Sequence, residues 1–367
     1  MPSELAPSGK AAWLPAGTQL EGSRELRGPD RHRALVGGDP RSLLRLSSQG
    51  AGLLEGWLEG EPLEAQSSGN ALARALVDRG MLKAKFTQLP SQSLAVVIPV
   101  KDRVELLEGL LASLAGLEVV VVDDGSADPA AIQKLAEAHG ASVIRRELSG
   151  GPAAARNAGI KATDSELIAF IDSDVETSSE SILALLPAFH DPRLGAIAPR
   201  VKVAATVDEA AQRYDSFSSP LDLGERSGIV RAGNKVAYVP SAALVLRRSA
   251  IPEGFDEALR FGEDVDLLWR MAQASWLMLY DAEISVTHPA RANWQELLRQ
   301  RYDYGSSAAA LAERHPDAMP AIRLHPIVAC IGGLVFLKRP KSAAVVLLAT
   351  VVSVTAELRG AVDQPFV

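Results

Sequence analysis

The chain has 367 residues, 47% of which are hydrophobic, and a formal net charge of −7 at pH 7. It is longer than one ordinary domain and apolar enough to build a packed core, which excludes a disordered linker protein. Its acidic balance disfavours a protein that binds nucleic acid, and its single cysteine, Cys330, excludes an internal disulfide framework.

The first 92 residues predict a small α+β module. Apolar residues recur at helical spacing within 51–62 and again within 71–79, and Gly80 stands where a C-cap glycine belongs. A short strand, these two helices and a hairpin would make a winged-helix-like fold. The alternative is a helical extension that only packs on the rest of the chain. The first residues lack the charged and apolar stretches of a secretory signal, so we expect a cytoplasmic protein.

Between residues 93 and 174, strand patterns alternate with amphipathic helix patterns. The strand-like runs are LAVVIPV, VVVV, SVIRR and LIAFI. This alternation predicts right-handed βαβ crossovers and a mainly parallel sheet that is covered on both faces. Ligands of such sheets bind beyond the carboxyl ends of the strands, where Pro99, Asp124 and Asp174 fall. We therefore expect one cleft to gather these three residues.

The tripeptide Asp172-Ser173-Asp174 directly follows the strand pattern LIAFI. Two carboxylates one residue apart point to the same side of a sheet, and they repel each other unless a cation lies between them. A magnesium or manganese ion held by one or two carboxylates keeps open positions that phosphate oxygens can fill. An isolated D-x-D is more often an acidic turn that caps the next helix, but the neighbouring motifs here favour the metal.

Two loops have both a structural and a functional interpretation. Asp123-Asp124-Gly125 is either a common turn after a strand or a ligand contact. Gly150-Gly151-Pro152 is either a flexible loop or a place where the backbone approaches a phosphate, with Arg156 nearby to add positive charge. Neither the P-loop pattern nor GxGxxG occurs in the chain. The order of these pieces, more than any one of them, indicates a ligand-binding sheet edge.

Five motifs in order make residues 93–304 resemble family 2 of the GT-A glycosyltransferases: VVIPVKDR, VVVDDGSAD, GGPAAARNAGI, FIDSD and FGEDVDLLWR. Members of this family bind a nucleotide-diphosphate sugar on one Rossmann-like α/β domain and usually invert the anomeric centre. The resemblance implies a GT-A domain over residues 93–310, a Mg²⁺ or Mn²⁺ cofactor, and transfer of a sugar from the nucleotide to a hydroxyl acceptor.

The resemblance also implies roles for single residues on the donor side. Val100, Asp102 and Asp124 would contact the nucleoside, with Asp124 accepting hydrogen bonds from the base. Arg156 would lie near the diphosphate, and Asp172 would face the ribose and the metal.

A metal and a base complete the site that the resemblance implies. Asp174 would ligate the metal directly, and His288 would be either a further metal ligand or only a loop residue. A divalent cation stabilises the charge that forms on the departing phosphate, and a base takes the proton of the attacking hydroxyl. Family members supply that base from a late acidic pair, here Glu263-Asp264, and we expect Asp264 to be the base. The structural alternative is a helix whose first turn is rich in acids.

The C-terminal region, residues 311–367, is apolar. Two apolar runs, 327–337 and 343–358, are separated by a short basic break. Each is shorter than the roughly 20 apolar residues that span a bilayer. A helical hairpin at the inner face of the membrane is one interpretation, and a buried core helix is the other.

The N-terminal module resembles modules that bind precursor peptides in ribosomally made peptide pathways. Joined to a family 2 domain, it implies transfer of glucose from UDP-glucose to a peptide-derived acceptor, and residues 236–251 resemble the acceptor-side wall of the family. Another cell-envelope or polysaccharide acceptor is one alternative, and a non-catalytic scaffold that binds nucleotide and peptide is another. A nucleotidyltransferase would need a glycine-rich basic loop after the first strand, which VIPVKDRVELL lacks.

Overall fold

The structure is a computed structural model that describes residues 6–28, 34–64, 68–204, 210–319 and short pieces between residues 330 and 350. The chain divides into two compact units, Met1–Ala318 and Met319–Val367. The larger unit holds all the strands and helices whose bounds follow.

The N-terminal part of the larger unit contains two small strand pairs and two helices. Its elements are β1 (Gln19–Gly22), β2 (Ala34–Gly37), β3 (Ser42–Arg45), α1 (Ser48–Leu58), α2 (Ser68–Val77) and β4 (Leu82–Lys85). Strand β1 pairs with β4, and β2 pairs with β3 in a hairpin, both antiparallel. This segment therefore contains two helices and a hairpin, and its winged-helix character and its role as a peptide-binding module are still predictions.

Ion pairs join α2 to the rest of the larger unit. The Arg74 guanidinium donates to both carboxylate oxygens of Asp191 at 2.8 Å, and both residues are buried. Arg193 pairs with Asp78, the residue that follows α2. A buried pair is costly to break because the remaining partner keeps an uncompensated charge. These contacts hold the N-terminal segment in the same compact unit as the central sheet.

An eight-stranded mixed sheet forms the centre of the larger unit. Its strands are β5 (Leu94–Val100), β6 (Glu118–Asp124), β7 (Ser142–Arg146), β8 (Leu167–Ile171), β9 (Leu194–Val203), β10 (Gly228–Ile229), β11 (Ala243–Arg247) and β12 (Leu277–His288). They lie in the order β10-β12-β9-β11-β8-β5-β6-β7. Strands β8, β5, β6 and β7 are parallel neighbours, and β9 is parallel to β12. Strand β11 runs antiparallel between β8 and β9, and β10 runs antiparallel to β12.

Helices and loops bury both faces of this sheet. The helices are α3 (Val104–Ser113), α4 (Pro129–Ala138), α5 (Gly151–Ala162), α6 (Ser179–Leu183), α7 (Ala210–Ser218), α8 (Glu263–Gln273) and α9 (Trp294–Arg314). Val96 and Ile98 belong to one apolar core and Val97 to the other, as the alternation of side chains along a strand requires. A Cβ at Gly159 would lie 2.2 Å from a Val97 methyl, so glycine allows α5 to pack closely on β5.

The predicted α/β class is confirmed, but the sheet is less parallel than the sequence predicts. The first four strands of the sheet follow the expected βαβ order, and β11 then enters between β8 and β9 in the opposite direction. Apolar strand patterns report burial, whereas strand direction depends on the path of the connection. Here the connection from β9 to β11 is about forty residues long and returns the chain along the sheet.

The two C-terminal apolar runs lie largely outside the described residues. Residues 344–350 are helical. Within the part of the chain that the structure describes, no helix combines the length and the apolar character needed to cross a membrane.

Candidate active site

The carboxyl ends of β5, β6 and β8 bring the donor-side candidates to one edge of the sheet. Val100 and Asp124 are the last residues of β5 and β6, and Asp172 comes directly after β8. In the register of the sheet, Val100 is opposite Asp123, one residue before Asp124. Because these strands are parallel, their ends form the edge at which ligands of such sheets bind.

Asp102 turns the chain sharply after β5. Its backbone is in the left-handed region, with φ of 57°, which is uncommon for a residue other than glycine. The Asp102 N–H donates to Ser126 Oγ at 3.0 Å, and Asp102 Oδ1 accepts from the Ala127 N–H at 2.7 Å. The loop after β6 therefore holds this turn in place from two directions.

Asp124 is the centre of a closed hydrogen-bond network. Its Oδ1 accepts from Arg146 at 2.8 Å and from the Gly150 N–H at 3.0 Å. Its Oδ2 accepts from Ser149 Oγ and from the Gly151 N–H, both at 2.8 Å. The glycine loop thus directs its backbone donors at Asp124. A nucleoside base would have to replace one of these four donors in order to donate to the carboxylate, so the base contact is still a prediction.

An ion triad joins the sheet edge to α8, in which Arg156 and Glu263 are buried and the Asp172 side chain is 31% exposed. Arg156, on α5, donates to Asp172 Oδ1 at 2.7 Å and to Glu263 Oε1 at 2.9 Å. Burial lowers the pKa of Arg156, but the charges of Asp172 and Glu263 outweigh burial, so its pKa is raised and it stays charged. The role at a diphosphate that the resemblance implies for Arg156 is untested, and in the structure its guanidinium holds two carboxylates.

Glu263 and Asp264 begin α8. Asp264 Oδ2 accepts from the Ser241 N–H at 3.2 Å, and its Oδ1 accepts from the Val265 N–H at 2.8 Å. Burial raises the pKa of Asp264. Burial, and next the charge of Asp264, raise the pKa of Glu263 to about 7, against the opposing effect of Arg156. Adjacent carboxylates with raised pKa values suit general acid–base chemistry near neutral pH.

Asp174 lies between an arginine and a histidine. Its Oδ2 pairs with the Arg103 guanidinium and is 3.5 Å from His288 Nε2. The other ring nitrogen of His288 is 2.8 Å from the Pro289 carbonyl oxygen, which can only accept, so Nδ1 carries a proton. In the neutral imidazole, Nε2 then presents its lone pair toward Asp174, as in histidines that bind metals.

The predicted metal residues supply part of a coordination shell. Among the residues that the structure describes, no three His, Cys, Asp or Glu side chains are grouped so as to hold a metal ion. Asp172 bonds to Arg156, and Asp174 with His288 forms a pair of candidate ligands. Magnesium in phosphate-transfer sites is commonly bound by one or two carboxylates, with substrate phosphates and water filling the other positions. The donor chemistry of the pair fits a divalent cation of that kind.

The sequence analysis did not single out three further residues at this site: Arg103, Tyr238 and Tyr304. Burial raises the pKa of Tyr238, and the charge of Asp264 raises it further. Tyr304 is 41% exposed, and its partial burial and the same charge also raise its pKa, so both side chains lie within the field of Asp264. Tyr238 precedes β11, in the segment that resembles the acceptor-side wall, and Tyr304 is on α9. A sequence signal existed for Arg103, which stands next to Asp102 in the first motif.

Comparison with known proteins assigns the family. The sequence profile of "Glycosyl transferase family 2" matches residues 95–255. The "Pre-mycofactocin glycosyltransferase" of Mycobacterium tuberculosis is 39% identical over 311 residues, which cover 84% of this chain and 66% of that protein. The chain therefore spans slightly less than two thirds of the length of this relative. The "Beta-monoglucosyldiacylglycerol synthase" of Trichormus variabilis is 25% identical over 57% of this chain and 50% of its own length.

Solved structures are similar at a lower level. The mannosyltransferase PcManGT from Pyrobaculum calidifontis, solved with GDP-Man and Mn²⁺, is 18% identical, with a TM-score of 0.47 over 76% of this chain and 82% of that one. Such a likeness is too distant to assign a function. The profile match and the 39% identical relative carry the assignment, and they confirm the family that the sequence motifs indicate. The chain belongs to the family 2 glycosyltransferases.

Proposed function

We propose that the protein is an inverting, metal-dependent glycosyltransferase that moves a sugar from a nucleotide-diphosphate sugar to a hydroxyl group. The observation that carries this proposal is the ion triad in which the buried Arg156 joins Asp172 to Glu263. The triad links the expected donor site at the end of β8 with the first turn of α8, which carries Asp264. Donor and base would therefore meet at one place.

On the donor side, the proposal keeps the residue roles of the sequence analysis. Val100, Asp102 and Asp124 bind the nucleoside, and Asp172 faces the ribose and the metal. Asp174 and His288 hold a Mg²⁺ or Mn²⁺ ion, which, when bound, neutralises the charge on the departing diphosphate. The positions of these groups at one sheet edge support the assignment.

Asp264 is the proposed general base. It is only partly buried, so an acceptor hydroxyl can approach it, and its raised pKa brings its basicity closer to that needed near neutral pH. The Ser241 and Val265 N–H groups fix the orientation of its carboxylate. Asp264 would take the hydroxyl proton as the acceptor oxygen forms its bond to the anomeric carbon and the bond to the diphosphate breaks. Glu263 and Arg156 act as positioning residues for the same turn.

We further propose glucose from UDP-glucose as the donor and a peptide-derived hydroxyl as the acceptor, in the maturation of mycofactocin. The support is the 39% identity to a relative named as a pre-mycofactocin glycosyltransferase. In this proposal, residues 1–92 bind the peptide and residues 93–310 carry out transfer in the cytoplasm, where nucleotide sugars are made.

A peripheral membrane contact through residues 311–367 is part of the proposal. A separate set of exposed apolar side chains lies on the larger unit. Phe217 on α7 and Leu298 and Tyr302 on α9 are 92%, 63% and 78% exposed. Tyrosine is enriched where proteins meet lipid headgroups, and exposed apolar side chains such as those of Phe217 and Leu298 can insert there. Cosedimentation of the full chain with anionic vesicles tests this contact, and failure of the wild-type protein to sediment at low salt would contradict it.

The central experiment incubates the purified full chain with Mn²⁺ and a panel of UDP- and GDP-sugars, and follows nucleotide release with and without a peptide acceptor. We expect UDP-glucose to give the fastest release, and EDTA to abolish it by removing the cation. Asp174→Ala should behave like the EDTA-treated protein. Release that is equally fast in EDTA would contradict metal dependence, and no release with any donor would contradict the transferase.

A further inference from the structure

We propose that Arg103 is a built-in counter-ion of Asp174, which competes with the divalent cation for that carboxylate and is displaced when the cation binds. This inference rests on the proposed metal site. It assigns to Arg103 a positioning role in loading the site, and it follows from the burial, the backbone and the contacts of the residues around Asp174.

Burial makes a counter-ion necessary at Asp174. The Asp174 side chain is 8% exposed, whereas that of Arg103 is 46% exposed. A carboxylate removed from water without a positive partner is unstable, so it must be paired, protonated or bound to a cation. Arg103 satisfies this need without a metal. Because nearly half of its own side chain is already in solvent, the arginine can leave Asp174 and be hydrated by water at little cost in free energy.

The backbone aims Arg103 at Asp174. The preceding residue, Asp102, has a φ of 57°, a conformation that non-glycine residues adopt only at a cost. Two hydrogen bonds hold it there, one donated by its N–H to Ser126 Oγ and one accepted by its carboxylate from the Ala127 N–H. Arg103 follows at the N-cap position of α3, where no side chain caps the helix. The left-handed turn therefore sends the guanidinium back across the sheet edge, to a carboxylate 71 residues later in the chain.

Arg103 and the predicted metal ligand His288 meet at the same oxygen atom. Asp174 Oδ2 accepts from Arg103 and also faces His288 Nε2 at 3.5 Å. The proton on His288 Nδ1 is directed at the Pro289 carbonyl, so the neutral ring has no proton to donate to Asp174 from Nε2. A cation bound by both Asp174 and His288 would use this oxygen, and its positive charge would repel the guanidinium. Metal and arginine are then alternatives.

Displacement would leave Arg103 with a new partner. Its guanidinium lies at the start of α3, at the same edge of the sheet as the proposed donor site. Once it has left Asp174, it can form charge-assisted hydrogen bonds to a phosphate group of the donor. Metal binding would thus recruit an arginine to the donor, so that cation and nucleotide sugar bind cooperatively.

Direct measurement of Mn²⁺ binding in the absence of any donor tests the inference. Titrations followed by electron paramagnetic resonance, which reports free Mn²⁺, would compare the wild type with Arg103→Gln, Lys101→Gln and Asp174→Ala. Lys101 is the matched control, because it is exposed, lies in the same loop and pairs with no carboxylate in the described part of the chain. Lys101→Gln removes one positive charge from the loop, as Arg103→Gln does, but leaves the ion pair of Asp174 intact.

We expect Arg103→Gln to bind Mn²⁺ about three- to tenfold more tightly than the wild type, as loss of a partly exposed ion pair implies. Lys101→Gln should bind within about twofold of the wild type at 0.15 M salt, since exposed charges are screened, and Asp174→Ala should lose the site. Thermal unfolding gives a second readout: in EDTA, Arg103→Gln should melt below the wild type, and Mn²⁺ should raise its melting temperature by more.

The outcomes separate the inference from the proposed function. If Asp174→Ala loses Mn²⁺ but Arg103→Gln binds it no more tightly than the wild type, the counter-ion role is wrong and the metal site stands. The inference also fails if Lys101→Gln tightens binding as much as Arg103→Gln, because general electrostatics would then explain the effect. If Asp174→Ala binds Mn²⁺ as the wild type does, the metal site itself is wrong.

Discussion

The donor half and the reactive half of the site are held together in different ways. On the donor half, Asp102 and Asp124 accept hydrogen bonds from the backbone and side chains of adjacent loops, and Asp124 alone has four such donors. On the reactive half, Glu263 and Asp264 are neighbouring carboxylates whose pKa values are raised by burial. Hydrogen bonds fix the carboxylates of both halves, but those of the second half have raised pKa values, which favour uptake of a proton.

The strongest test of the comparison is Asp264→Asn. The amide keeps the shape of the side chain but cannot accept the acceptor's proton, so turnover should fall by about 10²- to 10⁴-fold, the usual contribution of a general base. Because the donor half does not depend on Asp264, the affinity for UDP should change by less than about twofold. Nucleotide release and calorimetric titration with UDP measure the two quantities.

Asp256→Asn is the control for that experiment. Asp256 lies shortly before α8, but it pairs with Arg314 at 2.9 Å, with a third of each side chain exposed. We expect near wild-type turnover from this variant. A wild-type rate in Asp264→Asn would end its assignment as the base, and a parallel loss of UDP affinity would show that the two halves are not independent.

Removing the ion that joins the halves should cost stability. Arg156→Gln leaves the buried Glu263 and the partly exposed Asp172 without their shared guanidinium. Loss of one partner from a buried ion pair typically costs about 3–5 kcal/mol, so we expect the pair with Glu263 to account for most of the loss. Urea unfolding measures the change. Arg314→Gln removes an arginine from a partly exposed pair and should cost less than about 1 kcal/mol. Equal losses of unfolding free energy in the two variants would show that the triad stabilises the protein no more than a partly exposed ion pair does.

The smallest expected effect is in the pH dependence of stability. The pKa of Glu263 is about 7 in the folded protein, against 4.5 for the free group. Between pH 4.5 and 7, Glu263 is therefore protonated more often in the folded state than in the unfolded state. The free energy of unfolding should therefore contain a term that falls as pH rises from 4.5 to 7, by at most ~1.4 kcal/mol per pH unit. Glu263→Gln lacks this term.

Urea unfolding of the wild type and Glu263→Gln at pH 5, 6 and 7 gives the two slopes. Glu253→Gln is the control, because its side chain is half exposed and its nearest cation, Arg270, is 3.9 Å away. Its slope should match that of the wild type. Matching slopes in all three proteins would show that Glu263 titrates normally, and the reactive half would then resemble the donor half.

Much of the fold could be predicted because it follows from local sequence patterns. Short apolar runs such as LAVVIPV and LIAFI, bounded by turn residues, favour buried strands. A chain that alternates them with amphipathic helices favours a parallel sheet whose strand ends share one edge. The direction of β11 could not be predicted in this way, since a five-residue apolar strand reads the same in either direction. The partners of Asp124 were also hidden, because three of them come from the loop at residues 149–151, which has another plausible use, phosphate binding, and the fourth, Arg146, ends β7.

The sequence alone determined the class of the fold, the family and the set of acidic residues at the strand ends, because these depend on short motifs and on their order. Tertiary structure decided which charges meet. Arg156 is joined to Glu263 across 107 positions and Arg103 to Asp174 across 71, and no local pattern encodes such pairings. They follow from burial, since a carboxylate held away from water must find a cation, and only the packed chain specifies which one is within reach.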